Sequence, residues 1–224
     1  MMHDVKMPDY VLERIRAKRG RYKVFDHFDA AKTALLVIDM QNFYVEEVDT
    51  AIAIVPNINR IADAVRQAGG TVYWVVMTVA NSLDSPSLWP LYHDYFFTPE
   101  KGKKHKDGLT AGTEKHKIYS KLDVHSEDEM AHKTRFSPFI EGSSDLHTRL
   151  QSSGVENLII TGTATNMCSE SAARDAMMLD YKVVMVSDGN AARFDEDHLV
   201  GLTSFYQSFG DVRTADESIA MLVK

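Results

Sequence analysis

The sequence predicts an α/β protein of three layers, α/β/α, with helices on both faces of an open, mostly parallel sheet. Three observations predict it. Short runs of branched apolar residues recur at 33–38 (TALLVI), 71–78 (TVYWVVMT), 155–160 (VENLII) and 182–187 (KVVMVS). Such runs lack the polar alternation of half-exposed strands, so they read as strands covered on both faces. Helical segments separate the runs, and the spacing from 33 to 78 fits a right-handed strand–helix–strand crossover, which makes its two strands parallel.

Residues 1–30 form an N-terminal extension. Val11, Leu12 and Ile15 make a short helical stripe among Arg14, Arg16, Lys18, Arg19 and Arg21. An exposed arm with one docked face is expected, and it offers a place to hold another subunit. Residues 31–224 read as one domain. Its first strand, 33–38, ends in Asp39 and is followed by a loop over 40–44 and a helix over 51–68. Pro56 falls within the first turn or so of that helix, and Gly69-Gly70 ends it. Strand 71–78 then runs into an insert, 79–129, where the regular alternation stops.

The insert holds two features. Trp89, Tyr92, Tyr95 and Phe96 fall at helical spacings and read either as core or as the wall of a lid; the length of the insert favours the lid. The basic run 101–108 (KGKKHKDG) reads as a solvated loop. Residues 129–134 are short and polar, and they deliver Lys133 ahead of the Ser137-Pro138-Phe139 turn. Ser144 is expected to cap a helix to 153, with Gly154 as its stop. Strand 155–160 leads through small and hydroxyl residues into a helix whose first turn carries Cys168, with Thr165 or Asn166 as N-cap. Ser171, Ala172, Ala173 and Ala176 would let this helix lie close to the sheet. After strand 182–187, Asp195 caps a helix to about 209, residues 211–213 form a last strand, and Thr214 with Glu217 makes a capping box.

Composition excludes several classes. At 224 residues, 44% hydrophobic and 25% charged, the chain can bury a full core. No apolar run approaches the roughly 18 residues of a membrane span. The net charge of −7 argues against a nucleic-acid partner. A single cysteine excludes an internal disulfide, and the N-terminus lacks the apolar centre of a secretory signal; a cytoplasmic location is expected.

Gly-x-Gly-x-x-Gly after a strand, a P-loop, Gly-x-Ser-x-Gly, Cys-x-x-Cys and His-Glu-x-x-His are all missing. The nine histidines are scattered without the pairing on one helix face that zinc needs, so neither cofactor nor metal is expected. What remains is Asp39 at the end of one strand and Cys168 just past the end of another. Cys168 reads as a buried small hydrophobe or, from its place at a helix N-terminus, as a reactive thiol. Asp39 reads as a turn cap or as a reactive acid. In open parallel sheets the carboxyl edge is where ligands bind, at the point where strand order reverses.

Three segments carry a resemblance. LLVIDMQN (35–42), KTRFSPF (133–139) and GTATNMCSES (162–171) together resemble the cysteine hydrolase, or isochorismatase-like, superfamily. The resemblance extends from about Thr33 to the C-terminus and implies that family's Rossmann-like sheet. It implies a triad of Asp39, Lys133 and Cys168, in which the acid takes the thiol proton and the ammonium, aided by the helix dipole, favours thiolate. It implies a cis peptide at Thr163–Ala164 and an oxyanion site made by the N–H groups of Ala164 and Cys168. Nicotinamidases of this superfamily carry an Asp-x-His…His metal site after the second strand; residues 78–84 (TVANSLD) hold no histidine, so that activity and its metal are not expected. True isochorismatases often lack the nucleophile that Cys168 would supply.

The context ATNMCSES…ARDA is most similar to the ureidoacrylate and N-carbamoyl amidohydrolase branch. The implied substrate is a small linear amide or ureido compound, and relatives commonly form homodimers or homotetramers. Gln41, Asn42, Thr78, Arg135 and Asn166 are candidates to hydrogen-bond it, with Phe43 and Trp89 as walls. Pro138 stands where relatives often have a small residue and would reshape the pocket. The rival from another class is a non-catalytic small-molecule binder on the same fold.

Overall fold

The computed structural model describes residues 1–223. Lys224, the last residue of the expected domain, lies outside the described residues. Helix α1 (Asp9–Arg19) precedes a short strand β1 (Phe28–Asp29) and the first central strand, β2 (Thr33–Ile38). Then follow α2 (Asn42–Glu47), α3 (Ala51–Ala68), β3 (Thr71–Met77), α4 (Pro90–Tyr95), α5 (Pro99–Gly108), β4 (Glu129–Lys133) and α6 (Leu146–Ser152). The second half runs β5 (Asn157–Thr163), a π-helical turn (Thr165–Ser169), α7 (Glu170–Met178), β6 (Lys182–Ala191), α8 (Asp195–Ser208), β7 (Asp211–Arg213), α9 (Ala215–Ala220) and β8 (Leu222–Val223).

The central sheet has six strands in the order β4-β3-β2-β5-β6-β7, all paired in parallel. Strands β1 and β8 form a separate parallel pair. From β2 the chain winds outward through β3 to β4, then returns to the centre at β5 and winds the other way. The order therefore reverses between β2 and β5, and a crevice is expected beyond their carboxyl ends. Both strands are buried along their whole length. On β2, Leu35 and Val37 join one core cluster with Ile54, Ile58, Ile61 and Val65 of α3, while Ala34, Leu36 and Ile38 join the other with Ala172, Ala173 and Ala176 of α7. This alternation with period two is what places apolar side chains in both cores.

Several elements differ from the expected ones. Residues 129–133, read only as a polar stretch, are the edge strand β4, in which Ala131 and Lys133 are buried while the residues between are exposed. An edge strand covered on one face needs no continuous apolar run. Strand β5 begins later than expected and continues through Gly162, where φ is +117° and a Cβ would lie 2.0 Å from the Ile38 carbonyl oxygen. Only glycine lets β5 pass β2 there. The basic run is helical: Thr98 caps α5 by accepting from Lys101 N, and Pro99 occupies the first turn. Pro90 likewise begins α4, so the insert contains two short helices.

Ser144 accepts from Leu146 N at 3.3 Å, while Asp145 holds the cap position of α6. Phe194, not Asp195, holds the cap position of α8. The capping box of Thr214 and Glu217 is present.

Candidate active site

Asp39 follows the last residue of β2 and adopts a left-handed backbone conformation, φ +52°. A non-glycine residue there costs about 1 kcal/mol, and its neighbours hold it: Asp39 N donates to Val75 O, and Thr163 Oγ1 donates to Asp39 O. Lys133 ends β4, two strands away from β2. Neighbouring strands lie about 4.8 Å apart, so only a long side chain reaches the central seam from that edge. The Lys133 side chain does so wholly within the protein. Its Nζ lies 2.7 Å from Asp39 Oδ2, donates to Arg135 O at 3.1 Å, and lies 3.5 Å from Cys168 Sγ. An ammonium has three N–H groups, and each of these contacts can use one.

Cys168 sits in the π-helical turn, with Thr165 to Ser169 packed beneath α8. A Cβ added to Gly201 of α8 would lie 2.9 Å from Asn166 Cα, so the helix rests on this turn. Neither expected cap forms there; Thr165 Oγ1 instead bonds His198 Nδ1 at 2.7 Å. The peptide Thr163–Ala164 is cis, as the resemblance implies.

Burial and the charges of the neighbours act against one another on the three groups. Asp39 and Lys133 are fully buried and Cys168 nearly so. Lys133 is the one strong partner of the Asp39 carboxylate, which the Cys168 thiol and the Met77 N–H support more weakly. Burial raises the Asp39 pKa and outweighs Lys133 and the thiol, which act to lower it. For Lys133 burial acts downward, but Asp39 and the sulfur outweigh it and raise the pKa, so the ammonium stays charged. The thiol pKa is pushed up strongly by burial and by the neighbouring Asp39 charge, with Lys133 opposing. Burial and the carboxylate beside the sulfur thus act against the thiolate that the ammonium favours.

Cys168 opens on a cavity of about 470 Å³ lined also by Phe43, Tyr44, Tyr92, Phe97, His105, Phe136, Ala164, Asn166 and Met167. Lys101, Lys104, Glu47, Arg193 and Asp197 give its wall charged groups. Phe43 and Asn166 thus stand where the sequence placed them. Other candidates do not line this cavity. Gln41 is fully buried, donating to the carbonyls of Met77 and His116 and accepting from Met77 N, so it ties β2 to β3. Asn42 turns away and donates to Glu114 O. Thr78 Oγ1 lies between His116 Nε2 at 2.8 Å and His132 Nδ1 at 3.0 Å. Arg135 donates to Leu88 O and lies over the Trp89 ring, and both line a neighbouring surface cleft instead. Trp89 supports the wall from behind, stacked on Tyr92 and edge-on to Phe136. Pro138 does not line the cavity.

The residues that sequence reasoning missed come mainly from the insert. Phe97, Lys101, Lys104 and His105 reach the cavity from α5 and the segment before it, beside Tyr92 of the aromatic cluster read as a lid wall. Helix α5 has few apolar residues, so no periodic stripe marks which of its side chains face inward. Tyr44 was passed over inside the loop read at 40–44. Its phenol pKa is raised well above normal, first by burial and then by Asp39 and Cys168, so it remains a hydrogen-bond donor.

The chain is a three-layer α/β protein with an open parallel sheet and a carboxylate, an ammonium and a thiol gathered at its switch point. Comparisons with known proteins make the class specific. The isochorismatase domain model matches residues 33–217. A probable inactive nicotinamidase of Arabidopsis thaliana is 36% identical over 177 residues, 76% of this chain and 86% of that protein. The ureidoacrylate amidohydrolase RutB of Agrobacterium fabrum is 30% identical over 174 residues, 70% of this chain and 75% of that protein. The structure of a cysteine hydrolase from Pseudomonas syringae pv. phaseolicola superposes with a TM-score of 0.77 at 26% identity, covering 90% of this chain and 96% of that one. The chain belongs to the isochorismatase family.

Proposed function

We propose that this protein is a cysteine-dependent amidohydrolase that cleaves a C–N bond of a small linear amide or ureido (N-carbamoyl) compound through a thioester. The observation that carries the reading is the contact of Lys133 Nζ with both Asp39 Oδ2, at 2.7 Å, and Cys168 Sγ, at 3.5 Å, beneath a cavity that the sulfur lines. The similarity to a ureidoacrylate amidohydrolase supports the bond type.

The chemistry follows from the protonation states. In this reading Asp39, paired with the Lys133 ammonium, is the base that accepts the S–H proton as sulfur attacks the substrate carbonyl carbon. Lys133 keeps its charge throughout and offsets the negative charge that moves from carboxylate to sulfur. The carbonyl oxygen becomes an oxyanion, for which the N–H groups of Ala164 and Cys168 are the proposed donors. Asp39 then gives its proton to the leaving nitrogen as the C–N bond breaks. Asp39 next takes a proton from water as its oxygen attacks the thioester; the C–S bond breaks, the acid product leaves, and Asp39 returns the proton to sulfur.

Cys168→Ser and Asp39→Asn are each expected to abolish ammonia release from a panel of small amides, ureides and carbamates while keeping the wild-type circular dichroism spectrum. Retained hydrolysis in either variant would defeat this mechanism. A second reading, ligand binding without turnover, is favoured by the relative that is itself named as a probable inactive enzyme. Wild-type protein that binds members of the panel but releases no ammonia from any of them would select it.

A further inference from the structure

The insert carries a pair of histidines whose geometry fixes a hydrogen-bond polarity. His93 Nδ1 lies 2.7 Å from Ser87 Oγ and 3.1 Å from the carbonyl oxygen of Trp89. Ser87 Oγ already accepts from Trp89 N. The Ser87 hydroxyl can take either role but a carbonyl oxygen can only accept, so both contacts are favourable together with the proton on His93 Nδ1; the other tautomer would keep the Ser87 bond and set a lone pair against the carbonyl. In the neutral ring the remaining nitrogen, Nε2, is then an acceptor. It lies 2.9 Å from His105 Nδ1, which must be the donor. His105 is left with an unprotonated Nε2 that has no protein partner among the described residues, on a ring that lines the cavity of Cys168.

The surroundings keep that ring neutral. Burial, then His93, then the Lys133 ammonium lower the His105 pKa to about 4. Phe43 and Phe97 pack on the ring and hold its orientation. The charged groups around it offer little in the way of acceptors. Lys101, Lys104 and Arg193 only donate, Glu47 is committed to Lys104 and Arg193, and Asp197 is the one other carboxylate in the wall.

We propose that His105 is a specificity-determining residue: its Nε2 accepts a hydrogen bond from an N–H of the bound substrate and so selects a ureido or amide N–H over an oxygen in the same place. This deepens the amidohydrolase reading and rests on it for the nature of the substrate. A site built around a fixed acceptor rejects an isostere that presents a lone pair, because both acceptors are then left unpaired.

The test uses two probes, N-carbamoylglycine and O-carbamoylglycolate, which differ only in N–H against O. Their binding to Cys168→Ser, where neither can be turned over, is measured by calorimetry. N-carbamoylglycine is expected to bind about tenfold or more tightly, and the ratio to fall towards one when His105→Phe is added, a change that keeps an aromatic ring against Phe43. Nitrogen-15 imidazole spectra of the otherwise unaltered protein give an independent reading. They are expected to show His105 protonated at Nδ1 at pH 7, with the Nε2 resonance moving when N-carbamoylglycine is added. A ratio unchanged by His105→Phe, or a proton resting on Nε2, would overturn the assignment without touching the triad. Conversely, His105-dependent binding by an enzyme that hydrolyses neither probe nor any amide would overturn the hydrolase reading and leave this one standing.

Discussion

Asp39 must be ionised to take the thiol proton, yet it is the group whose charge the site supports least. One ammonium faces it, the Cys168 thiol and the Met77 N–H add little, and burial moves its pKa upward. The sign follows. As pH falls through that raised value the carboxylate is protonated, cannot accept from sulfur, and turnover is lost. The acid limb of kcat/KM should therefore lie above the ordinary aspartate value of about 3.9. A profile flat to pH 4 would rule out Asp39 as the base. The acid and the thiol were legible in the sequence because a reactive group past the carboxyl end of an apolar strand has one place to go. Lys133 was not legible from pattern alone; the family motif pointed to it, and the geometry explains it as the side chain long enough to cross from the edge. Gln41, Asn42 and Thr78 were misread for the opposite reason. Each lies close in sequence to a strand end, but the fate of a polar side chain there depends on carbonyls and histidines supplied by 110–135, which no local pattern reveals.

The edge strand β4 delivers Lys133 but has little apolar surface with which to hold itself in place. Its anchor is Asp128, one residue before it. The Asp128 carboxylate accepts from Arg66 Nε at 2.9 Å and Nη2 at 2.7 Å, from Trp74 Nε1 at 2.8 Å, and from His125 N at 2.9 Å, joining α3 and β3 to the start of β4. Burial acts to raise the Asp128 pKa, but Arg66, the His125 N–H and the Trp74 indole together outweigh it and lower the pKa. Asp128→Asn should lower stability by about 3 kcal/mol in urea unfolding at pH 7, since it leaves Arg66 without its buried partner. A folded-state pKa below the unfolded one contributes stability that is present above about 3.9 and lost as pH falls through the folded value. The gap between wild type and variant should therefore close below pH 4; a gap constant from pH 7 to pH 3 would show that the charge is not what holds β4. This element was read as polar chain because exposed Glu129, Met130 and His132 mask the inward alternation of Ala131 and Lys133. The helix α5 was read as loop for a related reason: its position is set by what it covers, with Gly108 so close to Phe43 that a Cβ would lie 2.3 Å from the ring.

The division of the chain into an arm and a domain is less sharp in three dimensions than in sequence. Residues 1–30 precede the region that matches the family, 33–217, yet α1 shares a core with the domain. Val11 and Ile15 are buried against Tyr206, and Arg19 donates to the carbonyls of Tyr206 and Gly210. The expected docked face is there, and its partner is α8 of the same chain. Further out, His3 stacks on His198 with ring centroids 4.1 Å apart and accepts from Ala192 N, and His198 bonds Thr165 at the start of the turn that carries Cys168. The arm therefore bears on the site through two packed rings and one helix. Deleting residues 2–20 should remove two fully buried apolar side chains, a loss of about 3–6 kcal/mol at about 1.5–3 kcal/mol each. The remaining chain keeps both faces of the central sheet covered, so urea unfolding should stay cooperative with a lower midpoint. Turnover should fall further than the loss of folded protein accounts for, because Thr165 and the sulfur then sit on a turn that α8 holds less firmly. A truncated chain with the wild-type urea midpoint would show that α1 is an ornament on the surface, whatever its effect on rate.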